Sequence, residues 1–173
     1  MQGDRRLDCS EMGAMESGHS IEAIFKRNFH AVFRLCYSYL GSAADAEDAA
    51  QTVFVKLLHH PRTFKSTEHE HAWLIVCASN HCKDVLKSAS YTRVTTLPER
   101  EDHLPGTEDQ IDETIDVVLR LPAKYKDCVY LHYYEGYKTA EIATMLGIPA
   151  STVRNRLRDA RAMLRETLGG DAQ

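Results

Sequence analysis

The stretch that decides the fold covers residues 139–166 and reads TAEIATMLGIPASTVRNRLRDARAMLRE. Ala143 is small, and Gly147 follows it by four residues. This spacing is typical of two short helices that cross closely, because a small residue permits close approach and glycine adopts the left-handed turn conformation at little cost. We expect Thr139 to cap the first helix and Ser151 to cap the second. The stretch therefore predicts a helix-turn-helix.

The second helix of this motif is apolar on one side and rich in arginine on the others. The apolar residues recur at helical spacing, namely Val153, Leu157, Ala160, Leu164 and Leu168. The N-terminal part of such a helix enters the major groove of DNA, where arginine reads guanine and asparagine reads adenine. We therefore predict that DNA is bound by Ser151, Thr152, Arg154, Asn155 and Arg158.

Composition is that of an ordinary soluble protein. The chain has 173 residues, 43% of them hydrophobic and 27% charged, with a formal net charge of −4. That negative charge does not exclude nucleic acid, because a local basic stripe matters more than the sum over the chain. We expect a cytoplasmic protein without membrane insertion, because no apolar run approaches the roughly 20 residues that span a bilayer. Five cysteines at irregular spacing agree with a reducing compartment.

Helical periodicity elsewhere predicts an all-α protein with two small helical domains joined by a flexible linker, the C-terminal one a helix-turn-helix. The predicted segments are a disordered tail (1–19), an N-terminal domain (20–88), a linker (89–110), a C-terminal domain (111–168) and a short tail (169–173). Within the N-terminal domain we expect helices over 21–40, 45–58 and 71–88, with Trp73 among the core residues of the third.

The blocks DAEDAAQTVFVKLL (45–58) and FKSTEHEHAWLIVCASNHCKDVLK (64–87), followed by the helix-turn-helix, strongly resemble bacterial RNA polymerase sigma factors of the sigma-70 family, extracytoplasmic-function (ECF) type. The resemblance covers about residues 20–168. It implies a protein that is not an enzyme, that binds core RNA polymerase and promoter DNA, and that helps to melt the duplex. It also suggests an anti-sigma factor as a partner.

The resemblance assigns roles to three sets of residues. Those that match the polymerase-binding helix are Asp45, Asp48, Gln51, Phe54 and Leu58, of which Phe54 also lies on the core stripe. Those that match the blocks for the minus-ten promoter element are Phe64, Lys65, Asn80, Asp84 and Lys87, with Trp73 a match that we interpret as core. The helix-turn-helix residues would bind the minus-thirty-five element.

Some residues depart from the family pattern. Glu68 and Glu70 lie in the predicted loop, where they would repel phosphates, and Asp159 stands where a basic residue is common. These acids lower the affinity for DNA that we expect of the chain without polymerase. We expect no metal site, because no CxxC or HxxxH pair occurs, and no cofactor.

Two alternatives remain open from the residues. A stand-alone helix-turn-helix regulator would bind duplex DNA without polymerase and would not need Asp48 or Gln51. A protein-interaction adaptor would use the arginine stripe to meet an acidic partner and would show no dependence on DNA.

Overall fold

The computed structural model describes residues 20–89 and 113–169, which belong to two compact helical units. These two ranges contain no β-strand, so the all-α prediction is confirmed for them. The predicted N-terminal tail, residues 170–173 and residues 90–110 of the predicted linker lie outside the described residues, while residue 169, predicted as tail, is the last residue of a helix.

The N-terminal unit consists of three helices, α1 (Ile21–Leu40), α2 (Ala43–His59) and α3 (Thr67–Ala89), which pack on one another. Gly41 ends α1 with a left-handed φ of 70°, a conformation that costs glycine little. The hydroxyl of Ser42 then accepts a hydrogen bond from the amide of Asp45 at 3.3 Å and caps α2. The first two helices are thus joined by a connection of two residues.

Aromatic side chains fill the contact between α1 and α2. Phe25, Phe29 and Phe33 follow one another along α1, with ring centroids 4.7 and 6.1 Å apart. The ring of Phe54 on α2 lies 4.9 Å from that of Phe25. Phe54 is 5% exposed and belongs to the core, whereas Phe25 at the edge of the cluster is 38% exposed.

The start of α3 corrects two sequence predictions. The helix begins at Thr67 rather than at residue 71, and the hydroxyl of Ser66 accepts a hydrogen bond from the amide of His69 at 3.1 Å. Glu70 is therefore a helical residue, and it is completely buried instead of facing the phosphates of DNA. A charged residue in a locally polar stretch, here STEHEH (66–71), gives no sign in the sequence that it lies inside.

The carboxylate of Glu70 is satisfied by two residues of α1. Arg27 donates to its two oxygens at 3.0 and 3.1 Å, and the side-chain amide of Asn28 donates at 2.7 Å. The amide oxygen of Asn28 lies 2.8 Å from Nδ1 of His71 and can only accept, so this ring nitrogen of His71 carries the proton. The network joins α1 to α3 over some 43 residues of chain.

We expect Arg27→Met to lower the free energy of unfolding of the N-terminal unit by about 1–3 kcal/mol, because it leaves the carboxylate of Glu70 with one donor fewer. Lys26→Met is the matched control, since Lys26 pairs with Glu22 on the exposed surface and its loss should cost less than about 0.5 kcal/mol. Urea unfolding followed by the fluorescence of Trp73, the single tryptophan, measures both. Equal effects of the two variants would contradict this account of Glu70.

The C-terminal unit consists of α4 (Glu113–Leu119), α5 (Ala123–Val129), α6 (Thr139–Leu146) and α7 (Ala150–Gly169). The helix expected over about 124–134 is α-helical only in its first half and continues as a π-helical turn over Tyr130–Tyr134. Helix α7 packs against both α5 and α6, and the core is formed where they meet. Its buried apolar residues include Cys128, Leu131, Ile142, Val153, Leu157 and Ala160.

The helix-turn-helix is present, but its caps differ from the prediction. Thr139 is the first helical residue of α6, and it is Glu141 that accepts a hydrogen bond from the amide of Lys138 at 2.7 Å. Gly147 ends α6 with the expected left-handed φ of 65°. The carbonyl of Pro149 accepts the first hydrogen bonds of α7, so Ser151 lies inside the first turn instead of capping it. Proline suits this position immediately before α7 because it cannot continue a helix from the residue that precedes it.

One carboxyl group of the C-terminal unit is completely enclosed. Asp127 on α5 is 1% exposed, and burial raises its pKa to about 8, against a smaller opposing effect of the charge of Arg156 on α7. The group therefore takes up a proton on folding at neutral pH. Because its pKa is higher in the folded than in the unfolded chain, its contribution to stability is full below about pH 4 and is lost as the pH rises to about 8.

We expect Asp127→Asn to remove this loss, which amounts to at most about 1.4 kcal/mol for each pH unit between roughly 4 and 8. Urea unfolding of the full chain at several pH values measures it, since the transition detected by circular dichroism but not by Trp73 fluorescence belongs to the C-terminal unit. The exposed Glu166, changed to Gln, is the control. An identical pH dependence in wild type and the Asn variant would refute the assignment.

Candidate functional sites

The predicted DNA-reading residues come together on α7. Ser151, Arg154, Asn155 and Arg158 are exposed, and at 100° per residue they lie within an arc of about 100°. Thr152 is half-buried beside them. The opposite side of the helix carries the buried residues Val153, Leu157 and Ala160. We call the four exposed residues the recognition face; it projects outward because the apolar stripe is fully used in packing.

One arginine of the recognition face forms an ion pair with a neighbour outside the face, Asp159. Arg158 donates to Oδ1 of Asp159 through Nε at 3.2 Å and Nη2 at 3.1 Å. The side chains are 69% and 42% exposed, so water screens the pair and its contribution to stability is small. An anion that approached Arg158 would have to compete with Asp159 for its guanidinium group.

Arg156 lies apart from this face. It is half-buried, and its charge lowers the pKa of the enclosed Asp127 on α5. The arginine stripe seen in the sequence is therefore divided between an outward set and a residue that faces the core of its own unit. Only the three-dimensional packing of α5 on α7 reveals this division.

The outer surface of α2 presents a mixed polar and apolar stripe. Asp48, Gln51 and Leu58 are exposed as the proposed polymerase contact requires, while Asp45 is half-buried and Phe54 is inside. Val55 was missed by sequence reasoning, yet it is 48% exposed and Leu58 is 57% exposed. The signal for Val55 was its position three or four residues from Gln51 and Leu58. We call Asp48, Gln51, Val55 and Leu58 the α2 stripe; it spans about 80° of the helix.

The residues before α3 form an aromatic surface. Phe64 is half-buried, and its ring centroid lies 5.7 Å from that of Trp73 and 5.8 Å from that of His69. The backbone amide of Lys65 donates a hydrogen bond to Nδ1 of His69 at 3.2 Å, which holds this segment against the first turn of α3. The side chain of Lys65 is exposed. Trp73, expected in the core, is only half-buried because it lies at this surface.

Three further predicted residues share one side of α3. Asn80 is half-buried, Asp84 and Lys87 are exposed, and their spacing places them within about 60° of one another. The side-chain amide of Asn80 forms no hydrogen bond with another described residue. It is therefore available for a polar partner.

His81 lies next to this group. Burial lowers its pKa, the charge of Lys56 on α2 lowers it further, and the charge of Asp84 acts in the opposite direction. Nδ1 of His81 lies 3.5 Å from the ammonium group of Lys56. A neutral imidazole can accept a hydrogen bond from that group.

The described ranges contain no group of three or more His, Cys, Asp or Glu residues that could hold a metal ion. Cys36, Cys77, Cys82 and Cys128 are buried, and among the described residues none of them forms a disulfide. A hydrogen bond with Cys82 together with burial raises the pKa of Cys36, which keeps it in the unreactive thiol form. Among the helices described, none is long and apolar enough to cross a membrane.

Comparisons with known proteins identify the family. Residues 24–92 match the family described as Sigma-70 region 2, and residues 111–164 match Sigma-70, region 4. The ECF RNA polymerase sigma factor SigL of Mycobacterium tuberculosis is 30% identical over 156 residues, which cover 86% of this chain and 88% of SigL. The ECF RNA polymerase sigma factor SigW of Bacillus subtilis is 26% identical over 185 residues, covering 95% of each chain.

A solved structure shows the same fold. The sigma factor RpoE of Bartonella quintana, determined in complex with the anti-sigma factor NepR, gives a TM-score of 0.65 at 17% identity, over 86% of this chain and 96% of that one. That structure supports the fold alone, and the family is assigned from the sequence matches. Since both regions match in order and SigL aligns along most of its length, this chain belongs to the sigma-70 family as an ECF RNA polymerase sigma factor.

Proposed function

We propose that this sigma factor binds core RNA polymerase in the cytoplasm, directs it to specific promoters and helps to melt the promoter duplex. The observation that carries the proposal is the recognition face of α7, where exposed arginine and asparagine side chains project from a helix whose other side is buried. The chain itself performs no chemistry; the polymerase does.

The recognition face supplies duplex reading at the minus-thirty-five element. Arg154 and Asn155 present the two side chains best suited to guanine and adenine edges in the major groove. Ser151 and Arg158 flank them and suit phosphate contacts, which position a helix without reading sequence. Thr152 at the border of the face completes the set.

The α2 stripe supplies the contact with polymerase. Asp48 and Gln51 offer a carboxylate and an amide, and Val55 and Leu58 offer apolar surface on the same side. A partner helix with basic side chains opposite the polar end of the α2 stripe and apolar side chains opposite the other end would be complementary to it. Phe54 contributes from inside, by fixing α2 on α1, and Asp45 lies at the first turn of the helix.

The segment before α3 and one side of that helix supply the capture of unpaired minus-ten bases. Phe64 offers a ring for stacking, and Asn80 and Asp84 offer hydrogen-bonding groups for base edges. Lys65 and Lys87 offer exposed cations for the strand backbone. The free energy of this capture offsets the cost of opening the duplex.

An anti-sigma factor is a further proposed partner. The similar sigma factor RpoE was determined with one, and both the recognition face and the α2 stripe would be inactivated by a protein that covers them.

We expect Asp48→Ala and Val55→Ser each to lower promoter-dependent transcription with core polymerase about tenfold, because residues central to an interface contribute about 1–2 kcal/mol each. Arg154→Ala should have a similar effect through loss of a base contact. In vitro transcription with purified core polymerase measures all three. Glu22→Ala, an exposed acid on α1, and Arg165→Ala, about 16 Å further along α7, are the matched controls.

The same assay separates the alternatives. If the protein stimulates no promoter-dependent initiation, or if the three variants equal their controls, the proposed function is wrong. A protein that binds duplex promoter DNA tightly without polymerase, and does not need Asp48 or Val55, would be a stand-alone regulator instead.

We expect Asp159→Asn to strengthen binding of duplex promoter DNA about three- to tenfold, because it releases the guanidinium group of Arg158 for a phosphate. The dependence of affinity on salt should become steeper by about one ion, as each added phosphate contact requires. Fluorescence anisotropy at several salt concentrations measures both quantities, with Glu166→Gln as the control for general charge. Unchanged affinity and slope would show that Asp159 does not restrain Arg158.

A further inference from the structure

Three of the four large apolar side chains that are exposed in the described ranges lie on one surface of the N-terminal unit. Val55 and Leu58 on α2 are 48% and 57% exposed, and Phe25 on α1 is 38% exposed. The ring of Phe25 lies 4.9 Å from that of Phe54, which is one helical turn from Leu58. The apolar end of the α2 stripe therefore continues onto the first turns of α1. Clusters of exposed apolar residues with a polar rim are typical of interaction sites.

Charge is ordered along the outer side of α2. Asp48 is exposed towards the start of the helix, and among the described residues its carboxylate has no ion pair or hydrogen bond. Lys56 and His59 are exposed in the last turn. At 1.5 Å per residue, Asp48 and Leu58 are about 15 Å apart along the axis. A segment that fits this surface has cations at one end and apolar and acidic side chains at the other.

The N-terminal tail, residues 1–19, has the complementary order in its sequence. Counted back from α1, acids and methionines come first and a basic pair follows, namely Glu16, Met15, Met12, Glu11, Arg6 and Arg5. Asp4 and Asp8 flank the basic pair and weaken its attraction to a carboxylate, so the methionines supply the larger part of the fit. Methionine suits such a contact because its unbranched side chain adapts to irregular apolar surfaces.

The tail joins the chain beside this surface. Helices α1 and α2 are joined by two residues and pack on each other, so the start of α1 lies next to the end of α2. Met15 is five residues from Ser20, which is about 17 Å at full extension. The nine residues from Met15 to Arg6 can extend over about 30 Å, more than the length of the α2 stripe. The tail is therefore long enough to reach both ends of the stripe.

We propose that the N-terminal tail binds the apolar end of the α2 stripe in the free protein and competes there with core polymerase. The contact can be weak in itself, because a short tether gives the tail an effective concentration in the millimolar range. The inference rests on the proposed function for the role of the α2 stripe. It adds a segment of the same chain that polymerase has to displace.

Nuclear magnetic resonance tests the contact without polymerase. We expect the methyl signals of Val55 and Leu58 to differ between the full chain and a chain that begins at residue 20, while those of the buried Ile142 in the C-terminal unit stay unchanged. Met12→Ser combined with Met15→Ser should reproduce the difference in the full chain. Ser10→Ala combined with Ser17→Ala is the matched control and should not.

Identical signals of Val55 and Leu58 with and without the tail would overturn the proposal. So would signals that change with protein concentration but not with removal of the tail, because a second copy of the chain would then cover the surface.

Binding of core polymerase tests the competition. We expect removal of residues 1–19 to strengthen this binding about three- to tenfold, because polymerase then meets an open stripe. The double methionine variant should give most of this gain, and the double serine variant none. Titration of fluorescently labelled sigma factor with core polymerase measures the affinities, and equal affinity of the full and shortened chains would refute the competition.

The results separate this inference from the proposed function. If Asp48→Ala and Val55→Ser transcribe like their controls, the proposed polymerase contact is wrong, and the tail has nothing to compete with. If these variants lower transcription but removal of the tail changes neither the methyl signals nor the affinity for polymerase, the inference alone is wrong and the proposed function stands.

Discussion

The buried carboxylate of Glu70 fixes how α3 lies on α1, and the surfaces of the N-terminal unit depend on that register. Arg27 and Asn28 both donate to it, and few other positions along α1 could offer a cation and an amide together. A shift of α3 by one turn would leave a buried charge without its partners, which is strongly unfavourable. The register also positions the first turn of α3. There His69 accepts a hydrogen bond from the amide of Lys65 and contacts the ring of Phe64.

Both units use the outer side of a helix whose inner side is fully occupied by packing. On α2 the buried Val53 and Leu57 leave Val55 and Leu58 on the outside, and on α7 the buried Val153 and Leu157 have the same effect on the recognition face. A helix held in this way cannot rotate to bury its outer residues, because its apolar stripe would then meet water. Packing therefore maintains the exposed apolar area on α2 and the exposed arginines on α7.

Much of this arrangement could be predicted from sequence, because repeated apolar spacing reports on averages over a whole helix. The bounds of α1, the burial of Val153, Leu157 and Ala160 on α7 and the left-handed Gly147 follow from such patterns. Leu164 of the same predicted stripe is half-buried, and the side chain of Leu168 lies outside the described part. The burial of Glu70 and Asp127 could not, since each depends on particular neighbours far away in the chain. The exposure of Trp73 and Val55 could not be predicted for a related reason. Both residue types are usually buried, and only the positions of adjacent segments decide how much of each side chain stays exposed.

On the proposed function, DNA binding by the recognition face would depend on polymerase. On α7, Asp159 forms an ion pair with the guanidinium group of Arg158, and on α3 hydrogen bonds to its own backbone and to Ser66 lower the pKa of Glu68. Both acids would repel phosphates, so the proposed function predicts that each DNA contact on its own is weak. Once polymerase holds the sigma factor on a promoter, a second contact becomes intramolecular, and its effective concentration rises without any new interaction. On the proposed function, weak individual contacts would give a tight complex only when polymerase and both promoter elements are present, and the free protein would not occupy promoters alone.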